Sequence, residues 1–411
     1  MESTNISLSE KSIGYADTDI SKIKKYGTTF VSTKKELLKA LKKSGIIVIT
    51  KEIDLLQDST GKSIRCYPDG KSTTAFDNFI NEQTGYKTYK KFINAYLKAC
   101  RPETNDIGVT ENDSYVPKDS ENASKMFSNL YNVKQEYESN YNILLRPKSN
   151  TAIIGADDTA KIIGGSVALY GVKNIIIRNI TFEDSFDPFP HHEPYDGFNA
   201  DYDCIRIKDT SNVWIDHCSL KTTSKSIYVT IGTNDIEAWN NYDGLLDITG
   251  SSTKITVSNC KFEDHEKTML IGNSDNEEIT LNRKITLMNN YFKSCKERTP
   301  MVRNSDIHIY NNIFEGNKNY CIGIRQGAKI IAENNVFKDV NVAFKGDSAT
   351  KKATLYQVNE FDNVKTLVKN KYWSNWSGPT FTVSYDYALL TTDEVKETIP
   401  AVVGAGKYLE A

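Results

Sequence analysis

Apolar and polar residues alternate in short runs that recur from about residue 149 onwards, and each run ends in a similar signature. The signature closes on a large apolar residue, and a polar residue, usually asparagine, stands three positions before it. The apolar column consists of Phe182, Leu220, Phe262, Phe292, Phe314 and Phe337. The polar column consists of Asn179, His217, Asn259, Asn289, Asn311 and Asn334. The last two repeats are 22 and 23 residues long, and the earlier ones are longer and would carry loops.

A repeat of about 20–25 residues with one strand-rich unit is typical of a solenoid, in which each coil packs only against its neighbours. Leucine-rich repeats have a similar period, but their leucine spacing and helical half are missing here. We therefore predict an all-β parallel β-helix. Stacked asparagines can hydrogen-bond from coil to coil, and they tolerate the left-handed backbone of a tight turn. Both columns, including His217, are predicted to be structural, with the amide of Asn311 bonded between coils.

The segments that flank the repeats follow other patterns. From Thr33 an amphipathic helix is predicted, and a strand-like apolar run follows Gly45. The next part is polar, with helical stretches predicted near 73–100 and 122–137, and we interpret it as a surface insertion. We predict a single domain over residues 1–411 that is divided into an N-terminal cap at about 33–55, an insertion at 58–148, a core at 149–345 and a C-terminal segment at 346–411 that packs on the β-helix.

Composition narrows the classes of function. The chain has 411 residues, of which 39% are hydrophobic and 25% are charged, as in a globular protein with a sizeable core. The net charge of −2 provides no overall attraction to nucleic acid or to an anionic membrane. No run of apolar residues is long enough for a transmembrane helix. An anionic ligand would therefore need a local cluster of lysine and arginine.

The cysteines and the N-terminus say little about chemistry. Seven cysteines are scattered singly without a CxxC spacing, so neither a zinc site nor a disulfide framework is indicated. Buried thiols are the favoured interpretation, and a bridge between Cys66 and Cys100 stays open. The first residues lack a basic-then-apolar leader, so either the protein is intracellular or Met1 replaces a leader that was removed.

Four aspartates are candidate metal ligands. Asp201 and Asp203 lie two residues apart at the head of an alternating run, and in an extended strand both side chains would share one face. Asp243 and Asp247 form a second pair. Four converging carboxylates would repel one another without a cation, and calcium takes about 6–8 oxygen ligands. The pattern favours a calcium site, and a solvated acidic surface is the alternative.

Four motifs resemble a known family. They are WIDH at 214–217, DGLLDI at 243–248, DHEKTMLIG at 264–272 and RTPMVR at 298–303. In this order and spacing they resemble the pectate lyases of polysaccharide lyase family 1, over about 150–340. The resemblance implies a right-handed, single-stranded parallel β-helix. It also implies calcium-dependent β-elimination on polygalacturonate by a secreted protein, which we expect to be a monomer.

The resemblance also implies roles for individual residues. The calcium ligands fall on Asp203, Asp243 and Asp247, and Asp201 is a further ligand or supports one. The catalytic arginine falls on Arg298. Its basic companions, which are both catalytic and substrate-binding, are Lys267 and Arg303. One more substrate-binding arginine, in IRQGAK, is Arg325.

The chemistry of elimination explains these residue types. A base removes the proton on C5 beside the uronate carboxylate, and the 4-linked oxygen leaves. Negative charge grows on a group that is already anionic, so a divalent cation and nearby Lys or Arg side chains would stabilise it. A free guanidinium stays protonated in proteins, so the assignment of Arg298 as the base rests on the resemblance. The residues alone support only a cation there, and exposed ion-paired arginines are the alternative.

Three other functions remain open at this point. A glycoside hydrolase on the same fold would need a general acid and a base or nucleophile, but the cations and the lyase motifs argue against it. A pectin lyase that acts on methylated pectin would not need the acids that are present here. A non-catalytic β-helix carbohydrate-binding protein or adhesin would need none of the motifs.

Overall fold

The structure is a computed structural model that describes residues 11–66, 71–99, 120–193, 197–223, 227–231, 235–275, 283–348, 350–369, 379 and 381–407. The helices are α1 (Ile20–Lys24), α2 (Lys34–Ala40), α3 (Thr74–Thr84), α4 (Tyr89–Ala99), α5 (Ser120–Tyr141) and α6 (Thr392–Val402). Within the described ranges, no helix has the length and apolar character that a membrane crossing requires.

The strands are β1 (Thr28–Val31), β2 (Gly45–Ile49), β3 (Ile53–Asp54), β4 (Leu144–Leu145), β5 (Thr151–Gly155), β6 (Lys161–Ile163), β7 (Ser166–Tyr170), β8 (Lys173–Arg178), β9 (Thr181–Glu183), β10 (His191–Glu193), β11 (Gly197–Asn199), β12 (Ile205–Lys208), β13 (Ser211–Asp216), β14 (Ser219–Lys221), β15 (Ile227–Ile231), β16 (Asp235–Trp239), β17 (Gly244–Thr249), β18 (Thr253–Ser258), β19 (Lys261–Glu263), β20 (Lys267–Ile271), β21 (Arg283–Met288), β22 (Tyr291–Lys293), β23 (Met301–Val302), β24 (Ser305–Tyr310), β25 (Ile313–Glu315), β26 (Ile322–Ile324), β27 (Lys329–Lys338), β28 (Val342–Gly346), β29 (Thr354–Asp362) and β30 (Thr366–Lys369).

Strands at equivalent places in successive coils pair in parallel. In one coil β12 joins a nine-stranded sheet, and β13 and β14 join a 17-stranded sheet. The next coil repeats this arrangement with β17, β18 and β19, which pair in register with their counterparts. The chain is therefore a right-handed parallel β-helix, as predicted. Two short antiparallel hairpins, β10–β11 and β15–β16, form separate two-stranded sheets.

The apolar column is a continuous stack inside the β-helix. Phe262 and Phe292 have ring centroids 4.8 Å apart and planes inclined by 8°. Phe314 and Phe337 continue the stack at 4.7 Å, and Phe361 extends it by one coil beyond the predicted set. Each apolar side chain of this column packs against those of the coils before and after it. This burial of apolar surface between neighbouring coils stabilises a solenoid. The structural interpretation of this column is confirmed.

The polar column stands at a left-handed corner. Its six residues have φ values between 47 and 56°, which asparagine tolerates better than most residues. The prediction for Asn311 is wrong, however. Its Nδ2 donates to the carbonyl of Ala388 at 3.0 Å, and its Oδ1 accepts from the backbone N–H of Leu390 at 3.2 Å. The corner conformation aims the Asn311 amide at the C-terminal segment, which covers the β-helix there.

The coil-to-coil ladder is built one residue later. The ladder consists of Asn290, Asn312, Asn335 and Asn359: each of the first three donates from its Nδ2 to the Oδ1 of the next, at 3.0, 2.9 and 2.8 Å. Asn312 Oδ1 also accepts from the backbone N–H of Asn290 at 2.8 Å. The first three of these residues are buried, so the ladder satisfies groups that water cannot reach.

We expect Asn312→Leu to lower the free energy of unfolding by about 1–3 kcal/mol for each buried group that it leaves unpaired. Chemical denaturation would measure the loss, and hydrogen exchange should rise first in the coils of Asn290 and Asn335. Asn81→Leu, at an exposed position of α3, is the control and should change stability little. Uniform loss of protection along the chain would contradict the stacked-coil account.

The segment that contains α2 and β2 packs on the core of the β-helix. Helix α2 begins after Thr33, whose Oγ1 accepts from the N–H of Glu36, and strand β2 follows, as the sequence predicts. Leu37 and Leu41 pack into the same apolar cluster as the β-helix interior. Six cysteines of the described residues are buried free thiols, which agrees with the interpretation from sequence. The possible partner Cys100 lies outside the described residues.

The insertion has an aromatic core of its own. Helices α3, α4 and α5 contribute Phe76, Phe92 and Tyr137, which pack together with Phe189 and Tyr202 of the β-helix. Helix α5 thereby lies against the segment that leads into β12. This docking matters for the site, because Asp201 and Asp203 belong to that segment.

The C-terminal segment returns along the outside of the coils. In α6, Val395 and Ile399 pack on Tyr291, Ile313 and Val336. Beyond α6, the N–H groups of Gly404 and Gly406 donate to Asn259 O at 2.8 Å and to Asn179 Oδ1 at 2.7 Å. Corner asparagines therefore hold this segment along much of the β-helix.

Candidate active site

Three aspartates converge on the outer side of the nine-stranded sheet. Asp203 lies two residues before β12, Asp243 directly precedes β17, and Asp247 lies within β17. Strands β12 and β17 are neighbours in which Arg206 stands opposite Asp247. One carboxylate oxygen from each aspartate lies within 4.8 Å of the others. Asp203 and Asp247 are buried, and Asp243 is half-buried.

The three carboxylates are poorly compensated. Burial, followed by repulsion from Asp203, raises the pKa of Asp243 to about 7. The same causes raise the pKa of Asp247 well above its ordinary value, and burial raises that of Asp203. Asp203 accepts a hydrogen bond from the backbone N–H of Gly244 at 2.8 Å, and Asp247 accepts one from the backbone N–H of Leu270 at 2.9 Å. A bound cation would remove the repulsion, so the donor set fits calcium.

Asp201 stands apart from this group. Its Oδ2 contacts the ammonium of Lys134 on α5, and its backbone N–H donates to Asp187 Oδ2 at 2.9 Å. The expected strand does not include either acid of the first pair, because β12 begins only at Ile205. Asp201 and Asp203 therefore do not share one face by strand alternation, and that expectation was wrong.

Two predicted cations lie beside the acids. Lys267 begins β20, and its Nζ donates to Asn199 Oδ1 at 3.0 Å. Arg298 precedes β23 in a left-handed conformation with φ 58°, and its carbonyl accepts from the N–H of Met269 at 2.7 Å. Both positive charges act to lower the pKa of Asp243 against the effect of burial. The structure thus brings Lys267 and Arg298 together with the three acids.

The other two predicted arginines are engaged in ion pairs one coil apart. Arg303 is buried, its Nε lies 2.6 Å from Asp275 Oδ1, and its Nη1 donates to the carbonyl of Gly272 at 2.9 Å. Arg325 pairs with Asp347, and 23% of its side chain is exposed. Both follow directly on strands of the nine-stranded sheet, where Val302 and Ile324 are register partners. Arg325 therefore has more access to a ligand than Arg303.

A family model described as pectate lyase matches residues 129–408, well over half of the chain. The chain belongs to the pectate lyase family. Pectate lyase E of Dickeya chrysanthemi is 39% identical over 200 residues, which cover 46% of this chain and 49% of that protein. The pectate lyase of Bacillus subtilis strain 168 is 31% identical over 269 residues, with 61% and 59% covered. The chain thus spans about half the length of the curated relatives it matches.

A solved structure extends the likeness to nearly the whole chain. A pectate lyase bound to a hexasaccharide has a TM-score of 0.70 and 26% sequence identity, over 92% of each chain. The resemblance that the four motifs predict is confirmed by the family match. The three acids and two cations of this pectate lyase family member lie within the matched region.

Two further residues of the site were not predicted from the sequence. Arg206 places its Nε 3.1 Å from Asp203 Oδ2, and a signal for it exists, because the buried Ile205 and Ile207 on either side require it to point outward. His265 Nε2 lies 2.6 Å from the carbonyl of Asp243, and burial lowers its pKa to about 4. The neutral ring therefore donates from Nε2 and holds the backbone of a candidate ligand in place.

Proposed function

We propose that the protein is a calcium-dependent pectate lyase that cleaves α-1,4-linked polygalacturonate by β-elimination and releases 4,5-unsaturated oligogalacturonates. The observation that carries the proposal is the group of Asp203, Asp243 and Asp247 beside Lys267 and Arg298. A poorly compensated acidic group of this kind calls for a cation, and the adjacent Lys267 and Arg298 suit an anionic substrate. Membership of the family supports the reaction class.

The residues would divide the work as follows. Asp203, Asp243 and Asp247 would hold the calcium ion, which when bound offers positive charge to the uronate carboxylate. Lys267 orients the sugar acid, and Arg298 acts at C5. Arg298 accepts the proton from C5, the electron pair of the C5–H bond forms the double bond between C4 and C5, and the C4–O4 bond breaks, so that the shortened chain leaves with O4, which takes up a proton.

The remaining predicted residues support this arrangement. We propose that Arg325 contacts a neighbouring uronate, because its side chain is partly exposed. We propose that the buried Arg303 contributes positive charge from its ion pair with the half-buried Asp275. We further propose that the protein acts outside the cell, because a polysaccharide substrate does not cross the cell membrane. We also propose that it acts as a monomer.

Product analysis tests the reaction class. After digestion of polygalacturonate, elimination gives fragments with an ultraviolet-absorbing double bond and no added water. A glycoside hydrolase would give saturated fragments that contain one added water per cleavage, and this result would refute the proposal. Methylated pectin, digested in parallel, should be the poorer substrate, and a preference for it would favour a pectin lyase. A carbohydrate-binding protein would release no fragments.

Calcium affinity should depend on pH. Because the pKa of Asp243 in the metal-free protein is about 7, calcium must displace a proton at lower pH. Affinity should therefore rise as the pH increases towards 7, by about tenfold per pH unit for each proton displaced, and the part that is due to Asp243 should level off above it. Calcium titrations at several pH values measure this slope. In Asp243→Asn the affinity should be lower and the slope smaller, and an affinity of the native protein that is independent of pH would contradict the account.

A further inference from the structure

Helix α5 of the insertion places one lysine at the edge of the candidate calcium site. The Nζ of Lys134 lies 2.6 Å from Asp187 Oδ2 and also contacts Asp201 Oδ2. The ring of Tyr202 lies 4.9 Å from the same ammonium. Only 8% of the Lys134 side chain is exposed. A lysine with this degree of burial is uncommon unless it is paired, and here two carboxylates share it.

Asp187 is the more deeply buried partner. Its side chain is fully buried, its Oδ1 accepts from the N–H of Phe189 at 2.8 Å, and its Oδ2 accepts from the N–H of Asp201 at 2.9 Å. A buried carboxylate without a positive partner would be strongly unfavourable. Burial alone would lower the pKa of Lys134, but the attraction of Asp187 and Asp201 outweighs it and raises the pKa. The lysine therefore carries its charge.

The ion-paired group of Lys134, Asp187 and Asp201 is connected to both segments that carry the candidate calcium ligands. Asp201 lies two residues before Asp203. The backbone N–H of Asp187 donates to the carbonyl of Asn241 at 2.8 Å, and Asn241 Nδ2 donates back to the Asp187 carbonyl at 3.0 Å. Asn241 in turn lies two residues before Asp243. The two acids that pair with Lys134 are thus linked, through Asp201 and through Asn241, to both segments that carry the proposed calcium ligands.

We propose that Lys134 is a resident cation that takes the place of a second metal ion in this region. It neutralises Asp187 and Asp201, so that Asp201 does not ligate calcium and one ion is held by Asp203, Asp243 and Asp247. The inference rests on the proposed calcium site. It assigns a role to the insertion, which supplies a fixed positive charge where a divalent ion would otherwise bind. Lys134 is thus a positioning residue, and it does not contact the reacting atoms.

Calcium stoichiometry separates this role from that of a simple anchor for α5. Equilibrium dialysis against calcium chloride, without substrate, gives the number of ions per chain. The native protein should bind one. Lys134→Gln should bind two, because Asp187 and Asp201 are then free to accept an ion, and the double variant Lys134→Gln with Asp201→Asn should return to one. Lys134→Arg keeps the charge and should bind one ion.

Asp201→Asn in the otherwise native protein keeps the test decisive if Lys134→Gln fails to fold. It should leave the stoichiometry at one and change calcium affinity by less than about threefold. A loss of the ion, or a drop in affinity of tenfold or more, would show that Asp201 is a ligand and would overturn the inference. Two ions bound by the native protein, or one bound by a folded Lys134→Gln variant, would also overturn it.

These outcomes are distinct from a failure of the proposed function. If the native protein binds no calcium at all, both the calcium site and the role of Lys134 are wrong. If it binds one ion that Asp247→Asn removes while Lys134→Gln gains no second ion, the calcium site stands and only the inference about Lys134 falls.

Discussion

Arg298→Lys is expected to keep the fold and calcium binding but to lose nearly all turnover, with kcat at least about 1,000-fold lower, or about 4 kcal/mol of barrier. Lysine keeps the positive charge, but it lacks the planar, forked guanidinium and its reach. The backbone at Arg298 is held in a left-handed conformation and bonded through its carbonyl to Met269. The fold therefore fixes the backbone from which the Arg298 side chain extends, and a lysine at the same position offers one ammonium in place of the forked guanidinium.

The rate on polygalacturonate, measured together with calcium affinity, separates two roles for Arg298. A loss of about tenfold or less, equivalent to about 1.4 kcal/mol, would mean that Arg298 only neutralises charge. Arg65→Lys is the control, since Arg65 lies in the insertion and pairs with Asp54 at 2.9 Å. This variant should retain the native rate.

Asp247→Ala is expected to abolish activity at ordinary calcium concentrations, with partial recovery at high calcium. The substitution removes one of three anionic ligands and leaves the N–H of Leu270 without its acceptor. Calcium affinity should fall by at least about 100-fold, which corresponds to about 2.7 kcal/mol of binding free energy. Calcium titration, followed by heat or by activity, measures the change.

Asp247→Asn isolates the effect of charge in this test, because its amide oxygen can still accept from Leu270. We expect it to lose calcium affinity almost as strongly as the alanine variant, while its metal-free form stays folded. Removing one of three mutually repelling acids should not destabilise the metal-free protein. Full activity of either variant at micromolar calcium would exclude Asp247 from the metal site.

The repeat architecture could be predicted because each coil of a solenoid contacts the next at equivalent positions, so the contacts appear as a repeat in the sequence. Phe292 meets Phe314 at 5.0 Å because both occupy one position of successive coils. The error at Asn311 has a physical cause. Asn311, at the left-handed corner, and its neighbour Asn312 point in different directions. Both are asparagines, so the sequence does not show which of the two side chains bonds to the next coil.

The candidate site could be predicted only in part. The two acidic pairs and the family resemblance point to Asp203, Asp243 and Asp247 as ligands, and the structure brings these three residues together. The partners of Arg303 and Arg325 are Asp275 and Asp347, and neither partner belongs to a motif.

The contacts of Lys134 could not be predicted from the sequence for a different reason. It pairs with acids more than 50 positions away, from a helix whose docking on the β-helix depends on the aromatic core of the insertion. A single lysine within a polar helix carries no sequence signal for such a contact, because most lysines on helices are solvated.

The metal dependence of the elimination tests the central claim most directly. The rate at which ultraviolet absorbance appears on polygalacturonate is measured in excess chelator, and again after calcium is restored. We predict no product in chelator and full recovery with calcium for the native protein, and no recovery at the same calcium concentration for Asp247→Ala. An equal rate with and without chelator would contradict the calcium site and the account that is built on it.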